Sequence, residues 1–258
     1  MRCRAVIGQL FLIIRFWTAR IFLLGFAIRQ RLIAETATCP CAARTFNTPQ
    51  LMLRFENLSK RYNDRIVFAG LRHDSAAGCV ALNDESGSGK STLLAILAGA
   101  LAADSGDVWI GGHLVNAAPA VARSLLTYVP EDCMPSPDPT GREYLRRVAA
   151  ARNASVSDAA LTLADRFGLT PHMDKRFEQM SFGTRKKFFL TSAMLGETSV
   201  LIADEPVGGL DAAARAVLVD LFTTLAQTRT VFFSSYDEAF TEACAATRIT
   251  FADLAQRG

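Results

Sequence analysis

The segment Asp84-Glu85-Ser86-Gly87-Ser88-Gly89-Lys90-Ser91-Thr92 decides how this chain of 258 residues is read. Its glycines let backbone N–H groups approach and turn toward phosphate oxygens, Lys90 supplies a mobile positive charge, and the Ser91 hydroxyl is placed to ligate Mg²⁺. The flanks agree. Gly78-Cys79-Val80-Ala81-Leu82 ahead of it reads as a short buried strand, and Leu93, Leu94, Ile96 and Leu97 behind it recur at helical spacing. Strand, loop and helix in that order is the context in which such a loop wraps a nucleotide triphosphate. One position departs from the pattern G-x-x-x-x-G-K-[ST], since Asp84 stands at its first glycine. Aspartate tolerates left-handed backbone angles better than most residues, so the turn is expected to survive, while a carboxylate near a triphosphate is expected to weaken binding.

A second segment supplies the acids. Val200-Leu201-Ile202-Ala203-Asp204-Glu205-Pro206 is an apolar run ending in two carboxylates, as when a buried parallel strand delivers acids to the carboxyl edge of a sheet. Asp204 can join the Mg²⁺ shell, Glu205 can polarise an attacking water, and Pro206 ends the strand.

With these two segments in place, the chain resembles the nucleotide-binding subunit of ABC transporters from about Leu53 to the C-terminus. Met180-Ser181-Phe182-Gly183-Thr184-Arg185-Lys186-Lys187 looks like a variant of that family's L-S-G-G-Q signature. Gly208-Gly209-Leu210-Asp211 is similar to its D-loop, Tyr62 sits where the family stacks an aromatic on adenine, and Tyr128-Val129-Pro130-Glu131 lies where its Q-loop begins. The resemblance implies an α/β P-loop NTPase of ABC type, a mixed-sheet core with a helical subdomain over about residues 132–185. It also implies ATP and Mg²⁺ as cofactors, with Ser91, Glu131 and Asp204 toward the metal. It further implies a homo- or heterodimer in which Ser181 and Gly183 act across the interface on ATP held by the partner's loop, with Asp211 of the D-loop-like segment also toward nucleotide.

The departures from the family are specific. Phe182 replaces the signature's first glycine and Thr184 its glutamine; Phe182 either packs against a partner or coupling element or has drifted at a permissive site. Val231-Phe232-Phe233-Ser234-Ser235 reads as the strand leading into the family's switch histidine, but Tyr236 stands at that position. A phenol donates one hydrogen bond but does not titrate near neutral pH. Glu131 replaces a glutamine, and a carboxylate is an equally hard ligand for Mg²⁺. ATP hydrolysis is therefore expected, supported by Glu205 and Lys90 and slowed by Tyr236. The alternative is a degenerate nucleotide-binding module that regulates an active partner subunit. Non-transport ABC proteins of repair or translation fit less well, because the chain has one ATP-binding unit and no coiled-coil insertion between its motifs.

Charge divides the chain. Residues 1–51 hold seven arginines, no lysine and one acid, Glu35, a net of +6; the whole chain carries +3, so the remainder carries −3. That balance gives no support to nucleic-acid binding by residues 52–258. The first 51 residues form a basic, apolar extension. It reads as a membrane span interrupted by Arg15 and Arg20, as a surface anchor, or as a stretch outside the working protein, with translation starting at Met52. The six cysteines show no metal-like pairing beyond an isolated Cys39-Pro40-Cys41, so reduced thiols are expected.

The remaining pattern places elements coarsely. Residues 53–58 alternate as an edge strand, Ser105-Gly106-Asp107 reads as a turn before a strand at Val108, and residues 125–129 as a strand ended by Pro130. Helices are expected over 143–151 and over 158–167. The latter starts from a capping-box-like Ser155-Val156-Ser157-Asp158 and puts Leu161, Leu163, Ala164 and Phe167 in the core. No stretch of residues 52–258 is long and apolar enough to span a bilayer, so the pore is expected from a transmembrane permease subunit. The protein is expected on the cytoplasmic face of the membrane, held peripherally. The family places the permease contact around residues 131–144. Glu131, Thr140-Gly141-Arg142-Glu143 and the S-F-G-T signature look most like exporter-type subunits.

Overall fold

The computed structural model describes residues 51–135 and 138–255. The readings made of residues 1–50, including Cys3, Cys39, Cys41 and the basic extension, lie outside them.

Two sheets organise the domain. The first is antiparallel and joins β1 (Leu53–Tyr62), β2 (Arg65–Ser75), β4 (Ser105–Ile110) and β5 (His113–Leu114) in the order β2-β1-β4-β5. The second is parallel, with β3 (Gly78–Leu82), β6 (Leu126–Val129), β7 (Val200–Ala203), β8 (Thr230–Ser234) and β9 (Thr247–Ile249) in the order β6-β7-β8-β3-β9. Every residue of β7 and β8 is buried, which accounts for their unbroken apolar character. Leu82, Phe232 and Ile202 pack with Leu93, Leu94 and Leu97 of α1 (Lys90–Leu97) in one core cluster.

Two expectations about the antiparallel sheet are corrected. β1 is an interior strand, hydrogen-bonded to both β2 and β4. Its alternation of buried Leu53 and Phe55 with polar residues reports one buried face, which an edge and an interior strand share. The Ser105-Gly106-Asp107 stretch is the start of β4, with Asp107 opposite Glu56 and Ser105 opposite Ser59. The glycine serves an irregularity in the ladder: Asn57 has φ 52°, Gly106 has φ 92°, and a Cβ on Gly106 would lie 2.5 Å from the Glu56 and Asn57 carbonyl oxygens.

The helical part follows β6. After α2 (Pro119–Ser124), α3 (Gly141–Ala151) and α4 (Asp158–Arg166) precede α5 (Phe182–Thr191). A complete capping box starts α3, with the Glu143 N–H donating to Thr140 Oγ1 at 3.2 Å and the Thr140 N–H donating to Glu143 Oε2 at 2.9 Å. At α4 the cap is Ser157 alone, which accepts from the Ala160 N–H. Leu163, Ala164 and Phe167 are buried as expected, but Leu161 is exposed, because at about 100° per residue it lies nearly opposite Leu163 on the helix. Tyr144, Phe177, Phe188 and Phe189 form one aromatic cluster joining α3 to α5. The partly buried Arg152 guanidinium donates to the Ser192, Leu195 and Leu126 carbonyls, fastening this part to β6. Burial pulls that guanidinium down to about 10.

The chain finishes with α6 (Ala212–Leu225), α7 (Glu238–Ala243) and α8 (Phe251–Ala255). Cys79, Cys133 and Cys244 are buried free thiols, pushed up to about 11, 12 and 12 by desolvation. Among the described residues no helix is long and apolar enough to cross a membrane.

Candidate nucleotide site

The strand order explains why distant segments meet. β3 delivers the phosphate-loop segment and β7 delivers Asp204, and only β8 lies between them. Neighbouring strands are about 4.8 Å apart, so the two carboxyl ends sit roughly 10 Å from each other, a span a lysine side chain and one metal–phosphate unit can bridge. At those ends a cavity of about 690 Å³ opens. It is lined by Ser86, Gly87, Gly89, Lys90, Ser91 and Thr92 from the loop, and by Glu131, Asp204, Glu205 and Tyr236 from the facing strand ends.

The loop turns into α1 at Gly89, which has φ 106°. A Cβ there would fall 2.4 Å from Val67 Cγ1, so glycine is required on both steric and conformational grounds. Lys90 is 5% exposed and its Nζ donates to the Asp84 carbonyl at 2.6 Å, the Glu85 carbonyl at 3.0 Å and the Tyr236 hydroxyl at 2.8 Å. Asp84 resolves differently from the expectation that its carboxylate faces a phosphate. Its Oδ2 accepts from the Phe251 N–H at 2.7 Å, at the start of α8, and the residue neither lines the cavity nor adopts positive φ. Neither Glu85 nor Ser88 lines the cavity. The buried Ser88 Oγ has no hydrogen-bond partner, leaving a hydroxyl available inside the loop.

The acidic pair is held with care. Asp204 is buried and its Oδ1 accepts from Ser234 Oγ at 2.6 Å. Glu205 follows at φ 43°, in the left-handed region, and its N–H donates to the same Ser234 Oγ at 3.0 Å. Its Oε1 is buried with no partner. Burial raises the Glu205 carboxyl above its ordinary value; the Tyr236 backbone N–H and the Lys90 charge oppose the rise, and the Asp204 and Glu131 charges add to it. Ser91, Asp204 and Glu131 offer hard oxygen donors around one cavity, which suits Mg²⁺. Among the described residues no cluster of three or more acidic, histidine or cysteine side chains is preformed for a cation, so phosphate oxygens and water would complete such a shell.

At the mouth, Tyr62 is half exposed and shares the cavity wall with Asn63, Arg65 and Val67. The sequence reading missed Asn63 and Arg65; Asn63, at φ 51°, forms the tight β1–β2 turn that the Asn-Asp pair signals, and Arg65 adds a cation there.

Ser181, Gly183 and Asp211 are not part of this cavity. Ser181 is exposed at the N-terminus of α5, where its Oγ accepts from the Thr184 N–H at 3.2 Å. Gly183 packs against the D-loop-like segment so closely that a Cβ would lie 2.2 Å from the Gly209 carbonyl oxygen. Asp211 caps α6 by accepting from the Ala214 N–H at 2.8 Å, and Lys187 Nζ lies 3.3 Å from its other oxygen.

Comparison with known proteins agrees with this geometry. A family profile described as "ABC transporter" matches residues 75–208. The linearmycin resistance ATP-binding protein LnrL of Bacillus subtilis (strain 168) is 26% identical over 190 residues, covering 72% of this chain and 61% of that protein. The Nod factor export ATP-binding protein I of Paraburkholderia xenovorans (strain LB400) is 30% identical over 196 residues, covering 73% of this chain and 64% of its own. The chain thus spans less than two thirds of the length of these relatives. A solved structure described as the ATP binding subunit of an ABC transporter superposes with a TM-score of 0.70 at 25% identity, over 77% of this chain and 85% of that one. With a profile match over half its length, laid on a sheet edge that gathers Lys90, Ser91, Asp204 and Glu205, the chain belongs to the ABC transporter family and carries that family's ATP-binding domain.

Proposed function

We propose that this chain is an ATP-hydrolysing subunit that energises a membrane transporter through ATP-driven closure of two nucleotide-binding subunits. The observation that carries the reading is the meeting of Lys90, Ser91, Asp204, Glu205 and Tyr236 around one cavity. Triphosphate entry requires Lys90 to exchange one of its three present partners for a phosphate oxygen. The Tyr236 hydroxyl is the exchangeable one, because it sits on a side chain that is half exposed, whereas the other two acceptors belong to the loop itself. Glu205, ionised, takes the proton of an attacking water, and its unpartnered Oε1 is free to do so. Ser91, Asp204 and Glu131 would hold Mg²⁺, which when bound would supply Lewis-acid charge to the phosphate oxygens.

Ser181 and Gly183, on a separate face, are assigned to the nucleotide of a partner subunit, homo- or heteromeric. Residues 131–144 are assigned to contact with a transmembrane permease, which would keep the protein peripheral on the cytoplasmic face. Tyr236 makes turnover slow, because a phenol reproduces a histidine's contact without its charge. The test is Glu205→Gln: steady-state hydrolysis should fall on the order of 10²- to 10⁴-fold with Mg-ATP affinity kept. Unchanged turnover would show that the assigned base is wrong. Nucleotide binding without measurable wild-type turnover would favour the degenerate regulatory module instead.

A further inference from the structure

Lys186 lies on α5 within the basic run that follows the signature-like segment, yet it is fully buried. Its Nζ donates to the Glu205 carbonyl oxygen at 2.7 Å and sits 4.5 Å from the centroid of the Phe182 ring. Taking an ammonium out of water is costly unless its charge is answered, and here a carbonyl dipole and an aromatic face answer it. Glu131, Asp204 and Glu205 bear on the same charge electrostatically. The acceptor matters because Glu205 holds a backbone conformation that residues with a Cβ disfavour, at φ 43°. One side of the residue is tied through its N–H to Ser234 Oγ. The other side, its carbonyl, is tied to Lys186. These two bonds clamp the turn that carries the Glu205 side chain from the buried end of β7 to the cavity wall.

Phe182 completes the arrangement. The ring packs where a Cβ on Gly209 would lie 2.6 Å from Phe182 Cδ1, and Lys186 Nζ lies 3.3 Å from the corresponding position on Gly208. The side chain that replaces a signature glycine is partly buried against its own chain. It fills the space between the ammonium and the 208–209 turn.

We infer that Lys186 is a positioning residue for the hydrolytic base, holding the Glu205 turn by its carbonyl, and that Phe182 holds Lys186. The inference rests on the reading of Glu205 as the base. It makes the signature helix, the base and the 208–211 segment one connected unit within a single chain, so that movement of α5 is transmitted to Glu205 through a hydrogen bond.

The test compares Lys186→Met, which keeps the volume and removes the donor, with Lys186→Arg, which keeps a buried donor, in the full chain. For Lys186→Met, kcat should fall on the order of a hundredfold, since a misplacement of about 1 Å costs that much, while Mg-ATP affinity stays within about twofold. Lys186→Arg should recover at least about a tenth of the wild-type kcat. Amide hydrogen exchange should quicken by about tenfold in the 205–209 segment of Lys186→Met and stay unchanged in the 85–92 loop. Wild-type kcat in Lys186→Met, a parallel loss of affinity, equal inactivity of both variants, or unaltered exchange at 205–209 would overturn the inference. Should Lys186→Met fail to fold, Phe182→Leu decides: kcat should fall by about threefold at constant KM, and no fall overturns it. Loss of the hydrolytic reading is separable. Turnover that survives Glu205→Gln rejects the base, whereas the exchange measurement on Lys186→Met still reports whether the clamp exists.

Discussion

Lys90 and Lys186 are the two buried lysines of the described structure, 5% and 0% exposed, and they solve burial alike. Each gives a hydrogen bond to main-chain carbonyl oxygen, and each sits over an aromatic ring, Tyr236 at 4.0 Å and Phe182 at 4.5 Å. They differ in access. Lys90 borders the cavity, and its ring partner is half exposed and able to leave. Lys186 is fully buried between the Glu205 carbonyl, the Phe182 ring and the 208–209 turn, so its bonds stay in place. A buried cation with an exchangeable partner becomes a ligand-binding group, whereas one with sealed partners becomes a strut. Chemistry alone does not distinguish the two lysines; the packing around them does.

Substituting Lys90 gives the largest effect expected on nucleotide affinity and cuts the comparison most directly. Lys90→Met removes charge-assisted bonds to phosphate, each worth about 1.5–3 kcal/mol, so Mg-ATP affinity measured by calorimetry should drop by about 10- to 100-fold. That is the opposite signature to Lys186→Met, which keeps affinity and loses rate. If both lysines gave the same split between affinity and rate, the division into ligand group and strut would fail.

A smaller effect is expected at the exchangeable partner. Tyr236→His restores a side chain that can carry charge near neutral pH, and single-turnover hydrolysis should rise by about tenfold. No increase would mean that the position above Lys90 is not a switch position, and the exchange of partners at Lys90 would lose its kinetic meaning.

The smallest effect concerns the acid that both lysines face electrostatically. Glu205 is raised chiefly by burial, with the Asp204 and Glu131 charges contributing. A base must be ionised to act, so turnover should decline as pH falls through this raised value. Glu131→Gln removes one of the negative charges, lowers the Glu205 pKa and should move that acid limb to lower pH. A limb that stays in place or moves upward in a pH–rate profile would show that Glu131 does not act on Glu205 through space.

Legibility followed locality. The phosphate loop was readable because its requirements are consecutive: Gly89 at φ 106° and Lys90 at the first turn of α1 act within one turn of backbone. The acids at the end of β7 were readable because an apolar run that stops at two carboxylates has few other uses. Asp84 was misread, since its carboxylate is turned aside by the Phe251 N–H, 167 residues along the chain. The place of Phe182 is illegible in the sequence for the same reason: what it fills is made by Lys186 on its own helix and by Gly208 and Gly209 elsewhere. Lys186 itself was hidden within Arg185-Lys186-Lys187, where a run of cations suggests a solvated face and gives no sign of which member turns inward.

By itself, then, the sequence determined the fold class, the phosphate-loop segment and the identity of the carboxylates, because each is written in contiguous residues whose backbone and side-chain preferences act over one turn or one strand. Only the tertiary structure decided that β1 lies inside its sheet, that Asp84 faces α8, and that Lys186 props the Glu205 turn from behind. Those outcomes depend on which strands pair and which segments close over a side chain, and pairing and closure join residues that share no local pattern.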